Sequence, residues 1–336
     1  MTSRELVYQT LSFNDPERVP RQLWLLPWAS KNHPNMCDKL KQDFKPDIIH
    51  ADVLYENPPV RIGDPYEIGE YIDEWGCIFE NKQYGIIGEV KKPIVIGEDW
   101  EDFDNVHIPT ELLTFDIDAI NDFCAKTNKF VLTPVHPRPF EQLQFMRGTE
   151  EFFMDLATGN TGLDKAINKV HEFNCKLLSR WAKTDVDALF IMDDWGAQRS
   201  LLINPKTWVA IFKPLYKDYI DIAHKHGKKI FMHSDGYILD IIDHLIELGL
   251  DALNSQIFCI GVENLEKYAG KITFWGEVDR QWLLPYAKND EIIDAVKKVY
   301  KTLWRNGGCI AQCEFGIGAN PENVFTIFET WDSFHK

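Results

Sequence analysis

The chain has 336 residues and a formal net charge of −16, with 45% hydrophobic and 26% charged residues. That length suffices for one large domain or two ordinary ones, with a sizeable core. The acidic excess argues against nucleic acid or an anionic membrane as a partner, and no apolar run approaches the roughly 18 residues of a membrane span.

The cysteines and the start of the chain predict the cellular compartment of the protein. Seven cysteines are an odd number, and they are scattered without a C-x-x-C pair. The start, Met-Thr-Ser-Arg-Glu, lacks the charged and then apolar layout of a secretory signal. Together these features predict a cytoplasmic protein with reduced thiols.

The first third of the chain predicts a helix at 3–12 and buried strands at 22–26 and 47–54. Residues 58–109 are rich in glycine, proline and aromatic residues, with short alternating segments. We interpret 58–109 as an antiparallel excursion inserted into a single barrel domain over 1–336. Long segments of this kind often cover binding sites, and we expect this one to cover the site.

After a helix at 116–127, short apolar strands alternate with helices. Six further strands are predicted, at 129–134, 187–192, 229–232, 251–254, 272–275 and 309–312. Helical patterns separate most of them, at 163–184, 205–226, 238–248 and 290–304. Eight strands in all favour an α/β fold, a (β/α)8 TIM barrel, over an open sheet. The sequence contains no glycine-rich motif for a dinucleotide or a nucleoside triphosphate.

Polar residues follow the predicted strands, where barrel enzymes carry their active sites. They are Asp193, Asp194, His233, Asp235, Ser255, Gln256, Glu277, Asp279, Cys313 and Glu314. His233, Glu277 and Cys313 offer an imidazole, a carboxylate and a thiolate, a donor set typical of zinc, and Asp235, water or substrate would take the fourth position. Alternatively, they are a hydrogen-bonded core histidine, half of an ion pair and a small buried hydrophobe.

Two further sets of residues allow two interpretations each. Asp193 and Asp194 form an acid/base pair with separated pKa values, or one of them caps a helix while the other faces solvent. Trp24, Trp28 and Trp195 lie near predicted strand ends, where they either line a flat apolar pocket for an aromatic substrate or pack within the barrel.

Seven short motifs extend over nearly the whole chain. They are RVP at 18–20, DEWGC at 73–77, DDWGAQ at 193–198, LINP at 202–205, HSDG at 233–236, GEVDRQ at 276–281 and PENV at 321–324. As a set they resemble the uroporphyrinogen decarboxylase superfamily, which also contains zinc- and corrinoid-dependent methyltransferases. The resemblance implies the same barrel.

Two departures from the sequence patterns of this superfamily narrow the choice of activity within it. The decarboxylases carry an M-R-Q-A-G-R stretch whose arginines hold substrate carboxylates, whereas this chain has LLPWAS at 25–30. The methyltransferases that methylate coenzyme M bind zinc through H-x-C and a later Cys. His233 and Cys313 match that pattern, and Asp235 stands where the first Cys would be. Oxygen in place of a thiolate makes zinc harder and better suited to an oxygen substrate.

The resemblance therefore implies a zinc-dependent methyltransferase, the O-demethylase component that transfers methyl from an aryl methyl ether of vanillate or guaiacol type to cob(I)alamin. Because the chain has no D-x-H-x-x-G signature, a separate corrinoid protein would carry the cobalamin. Asp235, Glu314 or Asp194 would protonate or orient the leaving oxygen. The residues expected to bind the substrate are Trp24, Trp28, Asp193, Trp195 and Gln256.

Three alternatives remain at this point. The first is a methyltransferase of the same superfamily that acts on methanol, a methylamine or a thiol. The second is a decarboxylase that needs no metal, and the third is a non-catalytic barrel that binds a small molecule. A homodimer is compatible with the sequence, which does not determine the oligomeric state.

Overall fold

The computed structural model describes residues 1–335, which form eleven strands and a surrounding set of helices. The strands are β1 (Arg21–Leu25), β2 (Ile48–His50), β3 (Gly69–Ile72), β4 (Ile78–Asn81), β5 (Glu89–Lys92), β6 (Phe130–Leu132), β7 (Ala188–Met192), β8 (Lys229–Ser234), β9 (Ala252–Ser255), β10 (Thr273–Trp275) and β11 (Cys309–Phe315).

The α-helices of the same residues follow the strands in most of the chain. They are α1 (Ser3–Leu11), α2 (Pro27–Asn32), α3 (Pro34–Asp43), α4 (Ile117–Ala125), α5 (Pro139–Arg147), α6 (Thr149–Thr158), α7 (Thr161–Trp181), α8 (Pro205–Thr207), α9 (Lys213–Lys225), α10 (Leu239–Leu248), α11 (Ile257–Ile260), α12 (Leu283–Tyr286), α13 (Asn289–Leu303) and α14 (Pro321–Asp332). A π-helical turn, Trp208–Phe212, joins α8 to α9. Short 3-10 helices occupy Glu101–Asn105, Thr110–Leu113, Val262–Tyr268 and Ser333–His335.

Eight of the strands form a parallel barrel in the order β1-β11-β10-β9-β8-β7-β6-β2. The circle closes where the backbone N–H of Asp47, just before β2, donates to the carbonyl of Arg21 in β1 at 2.8 Å. The predicted (β/α)8 TIM barrel is therefore confirmed. The remaining three strands, β3, β4 and β5, form the expected antiparallel sheet in the N-terminal third.

Element boundaries differ from the prediction in two ways that matter for the site. The last barrel strand continues to Phe315 instead of ending at residue 312, so Cys313 and Glu314 lie within it. Helices α5, α6 and α14 were not predicted. The start of α5 lies against β7, because Asp193 accepts hydrogen bonds from its first backbone N–H groups.

The core has two layers separated by the barrel wall. Inside the barrel, one cluster gathers apolar side chains from most of the strands: Ile48, Phe130, Leu132, Ala188, Phe190, Phe231, Ala252, Trp275 and Ile310. A larger cluster fills the space between the strands and the helices. Because side chains alternate along a strand, this division fixes which residues near each strand end face the interior.

The excursion packs against the barrel near α2. A β-carbon at Gly85, whose φ is +91°, would lie 2.5 Å from Cβ of Trp28, so glycine is required for this approach. The ammonium of Lys31 lies 3.5 Å from the ring centre of Tyr84. Burial raises the pKa of Tyr66, while the charge of Arg138 lowers it and that of Glu314 raises it. That the excursion covers the site stays a prediction.

Among residues 1–335, no helix combines the length and the apolar character needed to cross a membrane.

Candidate metal centre

The ends of β7 and β8 bring Asp194, His233 and Asp235 to one place. The two segments run side by side beyond the strands, and the N–H of Gly196 donates to the carbonyl of Asp235 at 3.0 Å. The approach is close enough that a β-carbon at Gly236 would lie 2.1 Å from the carbonyl oxygen of Gly196. Glycine at both positions therefore allows the two loops to meet.

The three side chains form a group of metal-binding donors. Their ligand atoms lie within 4.8 Å of one another, and this is the one such group among the residues that the structure describes. Nε2 of His233 lies 3.5 Å from Oδ1 of Asp194 and 3.5 Å from Oδ1 of Asp235. Oδ1 of Asp194 also accepts the backbone N–H of Asp235 at 2.9 Å, which fixes the two acidic residues relative to each other.

Asn254 in β9 sets the orientation of the imidazole. The amide group of Asn254 donates to the carbonyl of Trp275, so its Oδ1 is turned toward His233. Nδ1 of His233 lies 2.5 Å from this oxygen and therefore carries the proton. Nε2 is left with a lone pair that faces the two carboxylates, as in a metal-binding histidine supported by a hydrogen-bonded partner.

The charges around His233 favour a cation at Nε2. Burial lowers the pKa of His233, but Asp235, Asp194 and Glu277 together outweigh it, and the pKa is raised. A carboxylate group that stabilises a proton at this nitrogen also stabilises a metal ion there.

Glu277 follows β10 and is 2% exposed. Burial raises its pKa, and the neighbouring Arg280 guanidinium opposes this effect and favours the ionised carboxylate. Its Oε1 is buried without a hydrogen-bond partner, and so is Oδ1 of Asp235. Such unpartnered oxygens are costly in a protein interior. They fit a cation at this position, and the nitrogen and oxygen donors suit zinc.

Arg280 contacts three carboxylates at the carboxyl ends of the barrel strands, which we call the mouth of the barrel. Nη2 lies 2.6 Å from Oδ2 of Asp235, Nε lies 3.0 Å from Oε2 of Glu277, and Nη1 lies 2.9 Å from Oε1 of Glu314. Burial tends to lower the pKa of Arg280, but the three carboxylates raise it, so the guanidinium is permanently charged. Glu277 is thus half of an ion pair, as the alternative interpretation of the sequence had it.

Cys313 lies on the other face of its strand. Ile310 belongs to the barrel interior, whereas Ala311, Cys313 and Phe315 pack in the outer layer. Burial raises the pKa of the Cys313 thiol, and the charge of Glu277 raises it further. The sequence grouped Cys313 with His233 and Glu277, but the donors that the structure gathers share only His233 and Asp235 with the predicted set. Its role as a ligand stays a prediction.

Asp193 and Trp195 lie in the core, because alternation turns them away from the barrel axis. Asp193 accepts the N–H groups of Phe140 and Glu141 at the start of α5, and also the hydroxyl of Tyr216 at 2.6 Å. Trp195 is 0% exposed, and its Nε1 donates to the same hydroxyl at 2.9 Å. These contacts correspond to the capping and packing interpretations, and they do not fit the predicted contact with substrate.

The other predicted residues divide between the mouth and its surroundings. The ring of Trp24 lies 5.5 Å from that of His233, so Trp24 borders the metal group. Oε1 of Gln256 accepts the N–H of Gly236 at 3.1 Å. Glu314 lies on the same inner face of β11 as Ile310, and Arg280 binds its carboxylate. Trp28 lies in α2 and packs against His33, with ring centres 5.4 Å apart.

Sequence reasoning missed three residues of the site: Asn254, Arg280 and Glu141. Asn254 was the last residue of the predicted strand at 251–254, and a polar residue at that strand end was the available signal. Glu141 lies on the unpredicted helix α5. Burial raises its pKa to about 7, Arg138 opposes this, and Asp194 adds to it, so a further buried carboxyl lies near the metal group.

A cavity with about 430 Å³ of empty space adjoins the centre. Its wall combines apolar side chains, neutral amides and one ion pair, contributed by Phe258, Val278, Gln198, Gln256, Glu277 and Arg280. The mouth thus offers a metal-binding group next to a cleft that is open to solvent.

Comparisons with known proteins agree with this architecture. A methyltransferase from Methanosarcina mazei superposes with a TM-score of 0.66 at 14% identity, over 100% of both chains. A 3-keto-D-glucoside 4-epimerase from E. coli gives a TM-score of 0.41 at 8% identity, over 65% of this chain and 84% of its own. A family 10 endo-β-1,4-xylanase from Gloeophyllum trabeum gives 0.40 at 11%, over 65% and 81%. The first is a likeness of fold, and the other two are too distant to support an argument.

In sequence, no curated protein matches the chain. The family model of uroporphyrinogen decarboxylase (URO-D) matches residues 73–334, well over half of the chain. This match includes the barrel from β6 onward and every residue of the metal group. The chain therefore belongs to the uroporphyrinogen decarboxylase (URO-D) family.

Proposed function

We propose that this chain is a zinc-dependent methyltransferase that demethylates an aryl methyl ether of guaiacol or vanillate type, with cob(I)alamin on a separate corrinoid protein as the methyl acceptor. The observation that carries the proposal is the group of Asp194, His233 and Asp235 at the barrel mouth. The Methanosarcina mazei protein of the same fold over the whole chain is a methyltransferase, which is consistent with the proposal.

The residues of the centre have separate tasks in this proposal. His233, Asp194 and Asp235 would hold the metal, and Asn254 keeps Nε2 of His233 free for it. Zinc bound there would supply a Lewis acid that withdraws electrons from the ether oxygen. Trp24 offers its ring face beside His233, where an aromatic ring can stack.

The leaving oxygen requires a carboxyl group nearby. When the methyl group departs without the bonding electrons, the aryl oxide retains them and must take up a proton. Glu314 lies on the inner face of β11 and is held by Arg280 at 2.9 Å, outside the group of three donors. Because Arg280 keeps it ionised, we assign it the task of orienting a water molecule that gives its proton to that oxygen, or of relaying a proton from solvent to it.

The arginines at the mouth argue against a decarboxylase with a polycarboxylate substrate. Arg280 is already bound to three carboxylates of the protein. Arg138 lies 3.8 Å from Glu141. The stretch at 25–30, where the decarboxylases carry arginines, is uncharged. The guanidinium groups therefore balance the protein's own acids and are not free for a substrate with many carboxylates.

The test measures metal content and methyl transfer in parallel. We expect near-stoichiometric zinc in the purified protein, and methylation of reduced corrinoid protein with methoxybenzenes as donors. His233→Ala should hold less than about a tenth of an equivalent of zinc and lose the activity. His107→Ala is the matched control, because His107 also pairs with a carboxylate, at 2.8 Å, but is exposed in the excursion.

Three outcomes would contradict the proposal. Activity with methanol or methylamine alone would move the substrate to the aliphatic compounds. Decarboxylation by the zinc-free protein would identify a decarboxylase. Binding of a methoxyarene without turnover under any condition would favour a barrel that only binds small molecules.

A further inference from the structure

Arg280 lies where three strand ends of the barrel meet. Each of its three guanidinium nitrogens contacts the carboxylate of a different residue, at 2.6 Å for Asp235, 3.0 Å for Glu277 and 2.9 Å for Glu314. The guanidinium is planar and rigid, so three simultaneous contacts fix the carboxylates relative to one another. A lysine ammonium has no such fork and cannot reproduce this geometry.

Arg280 contacts only one carboxylate oxygen of Asp235 and one of Glu277, and the other oxygen of each is free of it. Arg280 binds Oδ2 of Asp235 and Oε2 of Glu277. The opposite oxygens, Oδ1 and Oε1, are buried without a hydrogen-bond partner. Oδ1 of Asp235 is the atom that lies 3.5 Å from Nε2 of His233, within the metal group. The arginine thus binds one side of Asp235, and the other side faces the metal position.

Glu277 has the same arrangement. It is 2% exposed, and its Oε2 lies 3.0 Å from Nε of Arg280, the same guanidinium group whose Nη2 binds Asp235 at 2.6 Å. A buried carboxylate oxygen without a hydrogen-bond donor is costly unless a cation or another donor compensates it. Glu277 lies outside the group of three donors, and the guanidinium that it shares with Asp235 keeps its carboxylate next to that group.

We propose that Arg280 is a positioning residue of the metal centre: it holds Asp235 and Glu277 so that Oδ1 and Oε1 are presented to the metal with Asp194 and His233. The inference rests on the proposed function only in naming zinc as the metal. Outer groups that orient ligands in this way typically raise metal affinity 10- to 100-fold.

The sign of the effect distinguishes positioning from charge. If Arg280 acted through its positive charge alone, its removal would relieve repulsion and zinc would bind more tightly. If it orients the ligands, its removal weakens zinc binding, because two carboxylates lose their fixed geometry. A lysine that keeps the charge but loses the fork should then behave like the neutral variant.

The experiment measures the dissociation constant of zinc for the full-length protein by competition with a chromophoric chelator. We expect Arg280→Gln and Arg280→Lys both to weaken binding roughly 10- to 100-fold. Arg138→Gln is the matched control, because Arg138 lies at the same mouth but contacts one carboxylate, that of Glu141, at 3.8 Å. It should change the constant by less than about threefold. Circular dichroism verifies that each variant is folded, and if the glutamine variant is not, the lysine variant decides.

Chemical rescue provides a second measurement. Arg280 borders the 430 Å³ cavity, so Arg280→Ala opens a space that a free guanidinium ion can enter. Guanidinium at low, non-denaturing concentration should restore part of the zinc affinity of this variant, whereas potassium at the same ionic strength should not.

Other results would overturn the inference or separate it from the proposed function. Tighter or unchanged zinc binding in Arg280→Gln would overturn it. If the wild-type protein binds no zinc, the inference and the proposed function both fail. If zinc binds and depends on Arg280 but no ether is demethylated, the inference stands and the proposed function fails.

Discussion

The orientation of three candidate ligands at the mouth depends on neighbours that are not themselves candidates. Asn254 turns Nε2 of His233 toward the carboxylates. Arg280 holds one side of Asp235 and one side of Glu277. The centre is therefore already ordered in the chain itself, so metal binding needs little rearrangement of these side chains.

Asn254→Leu should weaken zinc binding roughly 10- to 100-fold, because Nδ1 of His233 loses its acceptor and the ring loses its fixed tautomer. The measurement is the dissociation constant by chelator competition. Asn254→Asp retains an acceptor oxygen and should bind zinc more tightly than the leucine variant. Equal constants for the two variants would show that the hydrogen bond to Nδ1 does not matter.

At the residue scale, the sequence pointed to candidate donors more readily than to the residues that orient them. His233, Asp235 and Glu277 each follow an apolar run, and a polar residue at a strand end is a local signal. Which loop meets Arg280, by contrast, depends on the three-dimensional arrangement of strand ends. The face of Cys313 gave no local signal either: it alternates with Ile310 on a strand that continues to Phe315, and its role as a ligand stays a prediction.

At the scale of elements, the excursion packs against the barrel through a compact buried turn at 73–77, which joins β3 to β4. The carboxylate of Asp73 accepts the N–H groups of Trp75 and Cys77, at 3.0 and 2.7 Å. Nε2 of Gln142 in α5 lies 3.5 Å from Sγ of Cys77, so this turn packs on the helix that begins next to the metal group. The antiparallel sheet was predictable from alternation, but this junction was not, because α5 itself was not predicted.

The buried carboxyl group of Asp73, in the turn at 73–77, should make the stability of the protein depend on pH. Burial raises the pKa of Asp73 from 3.8 to about 6, although its backbone hydrogen bonds oppose this. The folded state therefore holds a proton that the unfolded chain releases, and the contribution of Asp73 to stability falls as pH rises from about 4 to 6. Asp73→Asn keeps an acceptor oxygen without the charge. The variant lacks this loss of stability. The difference between its free energy of unfolding and that of the wild-type protein should therefore increase from about pH 4 to pH 6, by roughly 3 kcal/mol at most.

Urea unfolding at pH 4 and pH 7 measures this difference. The matched control is Asp64→Asn, since Asp64 is exposed in the same excursion and its carboxylate also accepts a backbone N–H, that of Tyr66, at 2.8 Å. The same pH-dependent gain in both variants would contradict an origin in the burial of Asp73.

At the scale of the whole molecule, the two ends of the barrel contain different kinds of acidic residues. The carboxyl ends of the strands carry carboxylates with free oxygens, such as those of Asp235 and Glu277. The amino ends are closed by α1, and there the carboxylates are fully bound. Asp187, for example, binds Arg4 at 3.1 Å and the hydroxyl of Tyr8 at 3.0 Å. The barrel alternation predicted which end carries chemistry, whereas the ion pairs at the closed end join residues far apart in the chain and gave no local signal.

Asp47 provides the sharpest comparison between the two ends. It is 1% exposed and accepts both terminal nitrogens of Arg18 at 2.7 Å, the N–H of Arg21 at 2.8 Å and the hydroxyl of Ser3 at 2.6 Å. Asp47→Asn breaks this network and leaves a partly buried arginine without its counter-charge. The free energy of unfolding of the metal-free protein should fall by about 3 kcal/mol, while zinc affinity stays within about twofold because the metal group lies at the opposite end.

Asp235→Asn should have the opposite profile, since it removes a donor from the metal group but leaves the closed end intact. We expect zinc binding to weaken at least roughly tenfold, with a smaller change in the unfolding of the metal-free protein than Asp47→Asn produces. Urea unfolding and chelator competition on both variants make the comparison. If Asp47→Asn weakened zinc binding as much as Asp235→Asn, the two ends would be energetically coupled through the barrel wall, and the assignment of stability to one end and chemistry to the other would be wrong.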